Sequence, residues 1–477
     1  MKTAAIVHYV GATAKSRRVV ASLCADLRDQ GYATHLIDIG EFTTISQQSP
    51  PSWLLWLIGH KIHTEHWPRV LQSLGVTQHF PGNQTYPVVD ITAEEETVLA
   101  TAVESELLTY FRREHLKRSS AWIRELRKLL WSNARQCLNA LVSVFSEIQP
   151  DLVLIPNGRT SRQRSARVAA EQLNVPIEFY ENGRARPESY YRGTTQPHDR
   201  ITSQAEVAGF MEDISAKQVH ALASEWLDTR MSSGSGTNSF SSQWEDQSLI
   251  KPTPAGETAV FFTSSADEFL AFGPMWQIDS WQSQFQAFDE VMSVFEESDI
   301  RLILRVHPNL TQKSRRYFRA AVEEIESLKN RHPQLAVHWH TSSVNSYDLV
   351  RQADYVVAER STIGLEASLM GKPVWITQAA QWDLVADVRQ LLASSDITRG
   401  ALETWDVDPA GAQRFVAYWM LQEHPLRFSW QEFATWNLDA PPTLLRAANL
   451  FVKNPWRHRL HLAKTQLDRW SNSLPGR

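Results

Sequence analysis

The sequence is poor in the features that mark several classes of protein. Only two cysteines, Cys24 and Cys137, occur among 477 residues, which argues against a disulfide framework and fits a reducing compartment. Positive charge is not in excess, because 48 lysines and arginines face 53 acidic residues, for a net charge of −5. No general polycation for nucleic acid is therefore present. The apolar run PSWLLWLIGHKI is too short for a bilayer, which needs about 20 apolar residues.

Signals for export and for metal binding are also missing. The N-terminal stretch MKTAAIVHYVGATAKSRR has a short apolar run followed by charges, unlike a secretory signal, so we expect a cytoplasmic protein. No Cys and His spacing is typical of zinc, and GATAKS does not meet the pattern of a phosphate loop. Asp406 and Asp408 form an Asp-x-Asp triplet, but it lies outside the strand–helix units. We therefore predict no metal site and no cofactor.

What the sequence does contain is a repeated alternation of strand-like and helix-like segments. The first half has KTAAIVHYV, ATHLIDI, DLVLI and PIEFY, and the second half has TAVFF, RLILR, LAVHW, ADYVVAE and KPVWIT. Such alternation predicts parallel sheets with helices on their faces. We expect an α/β fold with two Rossmann-like domains facing across a cleft, which is the GT-B architecture of many nucleotide-sugar enzymes, and C-terminal helices.

Composition places the domain boundaries. The stretch MSSGSGTNSFSSQWEDQSLIKPTP has no helical or strand period and reads as a linker or long surface loop. We predict an N-terminal acceptor domain with a helical insertion over residues 1–230, a linker over 231–255, a C-terminal donor domain over 256–425, and C-terminal helices over 426–477. Packing of these last helices against the first domain is one arrangement that this order allows.

Polar side chains follow three strand-like runs of the second domain. Ser361 and Thr362 stand between a strand and a helix, where free N–H groups and the helix dipole favour a phosphate. Arg305 and His307 end another apolar strand, and an anion beside His307 would raise its pKa and accept its hydrogen bond. Ser264 and Ser265 end the first strand, the usual place for a phosphate or sugar loop. An ordinary N-cap serine and a loop histidine remain the alternatives.

Two further residues of the helix that follows Ser361 and Thr362 have predicted roles. Glu366 lies one turn inside the helix, where a carboxylate can accept both hydroxyls of a ribose. Gly364 would let a ligand approach the backbone.

Asp267 and Glu268 would either cap a helix or contact the donor sugar.

The first domain offers a candidate base. Glu181 follows the apolar run PIEFY, and partial desolvation there would raise the pKa of its carboxyl toward the range useful for deprotonating a hydroxyl. Arg159 and Arg184, with Asn157, would contact an anionic acceptor or donor, and the alternative for Glu181 is a surface glutamate beside Arg184 and Arg186. The basic helix SRQRSARVAAEQ has the charge run of a solvated face.

These segments resemble one protein family. HPN, NSYDLVRQADYVVAERSTIGLEASLMGKPV, FFTSSADEFLAFGPMW and PNGR are similar to segments of bacterial capsule and surface-polysaccharide GT-B glycosyltransferases, related to capsule Kdo transferases and bacterial polysialyltransferases. The resemblance implies that His307 contacts the donor phosphate, that Ser361 and Thr362 contact the same phosphate, and that Glu366 contacts the ribose. Glu181-Asn182-Gly183 is the nearest match to the acidic-acidic-glycine motif that supplies the general base in the related sialyl polymerases, and it departs from that motif because Asn182 replaces the second acidic residue.

The resemblance implies an enzyme with a nucleotide sugar and a glycan as substrates. We expect a metal-independent glycosyltransferase that acts on capsule, lipopolysaccharide or a related cell-surface glycan, with Glu181 and His307 as catalytic residues. A nucleotide-sugar epimerase and a non-catalytic capsule assembly or export factor remain alternatives. The basic, aromatic segment Lys453–Trp470 would either rest on the inner face of the cytoplasmic membrane beside a lipid-linked acceptor or form a solvated helix.

Overall fold

The computed structural model describes most of the chain. The described residues are 2–8, 14–39, 71–81, 84–111, 121–210, 212, 214–232, 256–265, 269, 272–276, 281–313 and 315–429. They form two compact units. Of the described residues, those within 1–184, 188–197 and 423–429 belong to the first unit, and those within 185–187 and 198–422 belong to the second.

The described part of the first unit contains a seven-stranded sheet. Its strands are β1 (Lys2–His8), β2 (Tyr32–Asp38), β3 (Thr77–His79), β4 (Leu152–Pro156), β5 (Ile177–Asn182), β6 (Ser189–Gly193) and β13 (Glu423–Pro425). Their order in the sheet is β13-β6-β5-β4-β1-β2-β3, and β1 to β5 run parallel while β6 and β13 are antiparallel to their neighbours. The central strands β1 and β4 are apolar and buried on both faces, as in a sheet covered by helices on each side.

Helices cover both faces of this sheet. They are α1 (Ala14–Asp29), α2 (Ala93–Phe111), α3 (Ala121–Ile148) and α4 (Ser161–Gln172). The apolar stripe of α1, which includes Val20, Cys24 and Leu27, packs on one face. The stripes of α3 and α4 pack on the other, through residues such as Leu141 and Ala169. The apolar residues that recur at spacings of three and four in these helices are thus buried against the sheet.

The second unit has a six-stranded, fully parallel sheet in its described part. Its strands are β7 (Thr258–Phe262), β8 (Arg301–Arg305), β9 (Ala336–His338), β10 (Tyr355–Ala358), β11 (Val374–Ile376) and β12 (Arg389–Gln390). Their order is β12-β11-β10-β7-β8-β9. The chain runs outward from β7 to β9 and then returns to the other side of β7 with β10. The carboxyl ends of β7 and β10 therefore form a topological switch point, where doubly wound sheets bind ligands.

Helices also cover both faces of the second sheet. They are α5 (Arg200–Phe210), α6 (Ala216–Met231), α7 (Gln284–Glu296), α8 (Arg315–Arg331), α9 (Ser346–Gln352), α10 (Thr362–Leu369) and α11 (Ala410–Leu421). Phe288 of α7 and Ile325 of α8 pack with Phe261 on one face. Ile363 of α10 and Phe415 of α11 belong to the core on the other. The predicted α/β class with two Rossmann-like domains is confirmed by these two strand orders.

The unit boundaries differ from those that the composition suggests. Helices α5 and α6 belong to the second unit although nearly all of their residues lie within the predicted first domain, 1–230. The reason is packing: Trp226 of α6 is buried and meets Trp419 of α11 edge-on at a centroid distance of 6.4 Å. Of the predicted linker over 231–255, residues 233–255 lie outside the described part of the chain.

The described end of the chain returns to the first unit. Strand β13 pairs with β6, and the Arg427 backbone N–H donates to Ser22 Oγ at 2.9 Å. Arg18 on α1 donates to the Phe428 carbonyl oxygen at 2.7 Å, and Arg427 contacts Asp29 at 2.9 Å. The predicted C-terminal helices begin at 426, and residues 430–477, including the basic aromatic segment, lie outside the described residues.

Cys24 and Cys137 are buried free thiols. Burial raises the pKa of each to about 12, so both are inert, neutral core residues at physiological pH. Within the described ranges, no helix is long and apolar enough to cross a membrane. The apolar run PSWLLWLIGHKI is not among the described residues.

Candidate functional site

The switch point of the second unit carries polar residues from both central strands. Thr263, Ser264 and Ser265 follow β7, and Glu359 and Arg360 follow β10; all five are buried. Ser264 Oγ donates to the Glu359 carboxylate. The two strand ends are thus tied together by a polar contact in the place where a Rossmann-like sheet receives its ligand.

His307 lies at the carboxyl end of β8, next to this point. Its backbone N–H donates to Thr263 Oγ1 at 2.8 Å, and its Nδ1 accepts from the Asn309 backbone N–H at 3.0 Å. Because Nδ1 is an acceptor, the proton of the neutral ring is assigned to Nε2. Burial, with the charges of Lys313 and Arg305, lowers the pKa of His307 to about 4. The imidazole is therefore a neutral Nε2–H donor at pH 7.

Arg305 is a buried cation whose hydrogen-bond partners within the described ranges are carbonyl oxygens. Its guanidinium donates to the carbonyl oxygens of Trp339 at 2.6 Å and Ser342 at 3.2 Å. No carboxylate among the described residues pairs with it, and burial lowers its pKa to about 10, which leaves it charged at neutral pH. A buried charge without a counter-ion is costly, so its positive field favours an anion nearby.

A narrow cleft lies beside His307, with about 320 Å³ of space between its walls, part of it open solvent. Its polar lining brings together three predicted residues, Ser264, Ser265 and His307, with Gln284 and Lys313. Lys313 is buried and lowers the pKa of His307, so its charge lies close to the imidazole. Sequence reasoning missed Lys313 because it follows a short 3₁₀ turn, Pro308–Gln312, and not a strand.

The opening turn of α10 is capped by Ser361, as in an ordinary helix N-terminus. Ser361 is its N-cap and Oγ accepts from the Ile363 backbone N–H at 3.5 Å, whereas Thr362 is exposed. The interpretation of Gly364 is wrong. A Cβ at this position would lie 2.7 and 2.9 Å from two ring atoms of Trp382, so the missing side chain makes room for a buried indole and not for a ligand.

Glu366 is buried at 2% exposure, and an arginine from another helix engages it. Arg230, near the end of α6, donates through Nε to Glu366 Oε1 and through Nη2 to Thr362 Oγ1 at 3.4 Å. The buried Tyr347 lies close to the same pair, and burial, with the negative charge of Glu366, raises the pKa of its phenol above its ordinary value. No local pattern indicates Arg230, which lies 136 residues from Glu366 in the sequence.

In the first unit, the candidate acceptor residues meet at the carboxyl ends of β4 and β5. Asn157, Arg159 and Glu181 line a cavity with about 720 Å³ of empty volume, part of it open to solvent. Asn157 Nδ2 donates to Glu181 Oε1 at 2.9 Å, and Arg184 Nη2 donates to Glu181 Oε2 at 2.7 Å. The structure thus brings all four predicted residues together, with Arg184 bound to Glu181.

The turn that carries Asn157 is tight. The Gly158 backbone N–H donates to the Pro156 carbonyl oxygen at 2.5 Å, and Asn157 has a φ of 56°. This three-residue turn with a positive central φ is a strained form of γ-turn. It directs a polar residue to the carboxyl end of β4, beside Glu181.

His8 also lines this cavity, and the sequence analysis missed it. It is the last residue of β1, and burial, with the charge of Arg17, lowers the pKa of His8 to about 3. Its position at the carboxyl end of a central strand was a usable signal. A second neutral imidazole therefore faces the pocket that holds Glu181.

A buried glutamate from β13 fixes the loop after Glu181. Glu423 accepts hydrogen bonds from the Arg184 backbone N–H and from Ser189 Oγ, the latter at 2.6 Å. A Cβ on Gly183 would lie 1.9 Å from Ser189 Oγ, so only glycine fits at this position. The glycine of Glu181-Asn182-Gly183 is thus required by packing.

Other charged residues have structural partners. Arg162 is buried and donates to the Ile39 carbonyl oxygen at 3.1 Å, so the solvated-face interpretation is wrong for this arginine. The Asp408 backbone N–H donates to Asp387 Oδ2 at 2.9 Å. Where the structure describes the chain, no group of three or more His, Cys, Asp or Glu residues is placed to hold a metal ion. Asp267 and Glu268 are outside the described residues.

Several known structures are similar to this chain at low identity. The KpsC β-Kdo 2,4-transferase of Thermosulfurimonas dismutans is 16% identical, with 56% of this chain and 79% of that chain covered and a TM-score of 0.37. The β-Kdo 2,7-transferase of the same KpsC is 13% identical, covering 69% and 88%, with a TM-score of 0.34. The UDP-GlcNAc 2-epimerase of Neisseria meningitidis, bound to UDP-GlcNAc, is 12% identical, covering 88% and 99%, with a TM-score of 0.31.

No curated protein has significant similarity to the chain. A sequence model of one family does match, and its range includes Arg305, His307, Ser361, Thr362 and Glu366. The resemblance expected from these residues is thereby confirmed over the matched segment: residues 277–391 have the sequence pattern of the capsule polysaccharide biosynthesis proteins.

Proposed function

We propose that the protein is a metal-independent glycosyltransferase that moves a sugar from a nucleotide-activated donor to a cell-surface glycan. The observation that carries this proposal is the buried site at the carboxyl edge of the second sheet. It combines Arg305, a buried cation that no carboxylate of the described residues pairs with, with His307, a neutral imidazole whose Nε2–H can donate. The leaving group of a nucleotide sugar is a phosphate that gains negative charge as the sugar departs.

The donor side of the reaction follows from these charges. Fixed donors and cations aimed at the developing charge lower the barrier because they need no reorganisation. The Nε2–H of His307 would hydrogen-bond a phosphate oxygen, while Arg305 and Lys313 supply positive potential. The N-terminus of α10, with Ser361 and Thr362, would bind the same phosphate. These groups can balance a phosphate's charge, which is why we propose a reaction without a metal.

The acceptor side is assigned to the first unit. In the 720 Å³ cavity, Glu181 would accept the proton of the attacking hydroxyl, and Asn157 and Arg184 hold its two carboxylate oxygens in place. Arg159 would contact the acceptor. Proton transfer to Glu181 requires that the hydroxyl displace or share one of these two hydrogen bonds.

The substrate class rests on the match over residues 277–391. We propose a capsule or related surface polysaccharide as the acceptor, either free or linked to lipid, and a cytoplasmic site of action at the inner face of the membrane. Membrane contact through Lys453–Trp470 is part of the same proposal.

Nucleotide binding is the first test. UDP, CMP, GDP and CDP are screened by thermal shift. A nucleotide whose free concentration is 100 times its Kd stabilises the protein by about 2.7 kcal/mol. His307→Ala should abolish the shift of the selected nucleotide, while the control His220→Ala, an exposed histidine on α6, should retain it. Stabilisation of His307→Ala equal to wild type contradicts the assignment.

Turnover separates the alternatives. Incubation with UDP-N-acetylglucosamine alone produces an epimer if the protein is an epimerase, because that reaction needs no acceptor. A glycosyltransferase consumes its donor in step with glycan synthesis, and Glu181→Gln should stop transfer while nucleotide affinity stays unchanged. Normal glycan synthesis by Glu181→Gln, with no donor turnover by wild type, would indicate a non-catalytic assembly factor.

A further inference from the structure

The first turn of α1 places a cation at the carboxyl edge of the first sheet. Arg17 comes directly after Ser16, which lines the 720 Å³ cavity, and it precedes Val20 and Ala21 by three and four positions. Val20 and Ala21 are fully buried in the core between α1 and the sheet. Residues at these spacings share one face of a helix, and their side chains tilt toward its N-terminus. The side chain of Arg17 therefore lies on the inner face of α1 and leans toward the strand ends that border the cavity.

Arg17 has no counter-charge within the described part of the chain. No described residue hydrogen-bonds to it or forms an ion pair with it, whereas the next residue, Arg18, donates to Glu188 and to the Phe428 carbonyl oxygen. Arg17 is partly buried, and burial lowers the pKa of its guanidinium. Its charge also lowers the pKa of His8, which lines the cavity at the end of β1. Withdrawing a cation from water without a counter-ion is costly, so this position favours an anion.

The described walls of the cavity do not balance the charge of Arg17. Glu181 is the one carboxylate among the described residues that line it, and Arg184 donates to that carboxylate at 2.7 Å. Arg159 adds a second guanidinium to the lining, from the loop after β4. An anion that enters the cavity would therefore meet positive charge from both α1 and the end of β4.

We propose that Arg17 is a specificity-determining residue of the acceptor site, which selects acceptors that carry an anionic group, either a carboxylate or a phosphodiester. A guanidinium fork binds two oxygens of either group, which an ammonium cannot do. Only β4 separates β1 from β5, so the ends of these two strands lie about 10 Å apart. The anionic group bound beside His8 would thus be a similar distance from the hydroxyl that Glu181 deprotonates.

This inference rests on the proposed glycosyltransferase function and deepens it, because it assigns a charge to the acceptor. It predicts that the protein prefers an anionic glycan to the same glycan without the charge, and that this preference depends on Arg17. An arginine that is merely solvated predicts no such dependence.

Glycan binding by the full chain tests the assignment. Capsule oligosaccharides are titrated in matched pairs: uronic-acid oligosaccharides with their carboxyl-reduced forms, and glycans bearing a glycerol phosphate substituent with the same glycans after its removal. At least one anionic member should bind, and its neutral counterpart should bind at least about tenfold more weakly. The pair that shows the preference distinguishes a carboxylate from a phosphodiester.

Replacing Arg17 should remove this preference. Arg17→Gln should bind the anionic member about tenfold more weakly than wild type and the neutral member within about twofold, while Arg17→Lys should retain part of the preference. Arg28→Gln is the matched control, because Arg28 is an exposed arginine at the other end of α1. It removes the same charge and should leave every glycan affinity unchanged.

Two further measurements accompany the titrations. Thermal denaturation without ligand verifies that each variant is folded. The thermal shift of the selected nucleotide should be the same in Arg17→Gln and in wild type, since the proposed nucleotide site lies in the second unit.

Several results overturn the inference while a normal nucleotide shift leaves the proposed function intact. They are equal binding of the anionic and neutral members, an unchanged preference in Arg17→Gln, and absence of binding to every anionic glycan. Equal losses in Arg17→Gln and Arg28→Gln would also contradict it, because they indicate a general attraction to positive charge. Absence of a nucleotide shift in wild type overturns the function and, with it, the role of Arg17 in acceptor selection.

Discussion

Replacing Gly364 with alanine decides whether packing or a ligand requires this glycine. The added Cβ would lie 2.7 and 2.9 Å from two ring atoms of Trp382, whereas carbon atoms in contact prefer roughly 3.5–4.0 Å. Relief therefore needs a shift of roughly 1 Å in an indole that is 1% exposed and close-packed. Overpacking of this kind costs about 1–3 kcal/mol, partly offset by up to about 1 kcal/mol from the helix preference for alanine.

The expected net loss is up to about 2 kcal/mol when the alanine preference is subtracted in full, and each kcal/mol lowers Tm by about 2–4 °C for a unit of this size. Thermal and urea denaturation measure it. Gly209→Ala is the matched control, since Gly209 is also helical and no atom lies within 4 Å of its added Cβ. That variant should be as stable as wild type or more stable by up to about 1 kcal/mol.

A double variant identifies the cause. In Gly364→Ala/Trp382→Phe the smaller ring leaves room for the methyl group. The double variant should therefore lose less stability than the sum of the losses measured for the two single variants. Nucleotide affinity, measured on folded protein, should be unchanged in Gly364→Ala. An alanine variant with wild-type stability and no nucleotide binding would refute the packing argument and restore the ligand interpretation.

Three other predictions follow from buried polar groups. Because His8 has a folded pKa of about 3 and an unfolded value of 6.5, the unfolded chain binds more protons below pH 6.5; stability should fall there by about 1.4 kcal/mol per pH unit, and His8→Asn should flatten that slope in urea titrations at several pH values. Glu423→Ala leaves the Arg184 N–H without its acceptor, so unfolding free energy should fall by about 1–3 kcal/mol and transfer should slow, while Glu423→Gln should retain part of both. Arg200 donates to both oxygens of buried Asp383 at 2.7 Å, and Arg200→Leu should cost about 3–5 kcal/mol by urea denaturation; a loss below 1 kcal/mol would contradict the buried pair.

Several features of the site could be predicted because they depend on local sequence. An apolar strand that ends in polar residues places those residues at the carboxyl edge of a parallel sheet, whatever the rest of the chain does. This rule located His307, Ser264 and Glu181, and the structure places each of them at such an edge. Gly371, with a φ of 72°, lies in the turn between α10 and β11.

Roles that depend on distant partners could not be predicted in this way. The expectation that an anion would raise the pKa of His307 took no account of burial and of Lys313, which act in the opposite direction. Gly364 looked like a place for a ligand because Trp382, 18 residues further along the chain, is invisible to a local pattern. Each of these outcomes depends on which side chain fills the neighbouring volume.

The sequence by itself determined the α/β class, the parallel strands at the centre of both sheets and the strand ends where polar residues gather, because hydrophobic period and turn residues act over short stretches. Tertiary structure alone decided that Arg230 meets Glu366 and that Glu423 closes the loop after Glu181. Arg230 and Glu366 are 136 residues apart in the sequence, and Arg184, in the loop after Glu181, is 239 residues from Glu423. The reason is physical: burying a charge is costly unless a counter-charge lies beside it, and the packing of helices on a sheet joins residues that no short-range pattern connects.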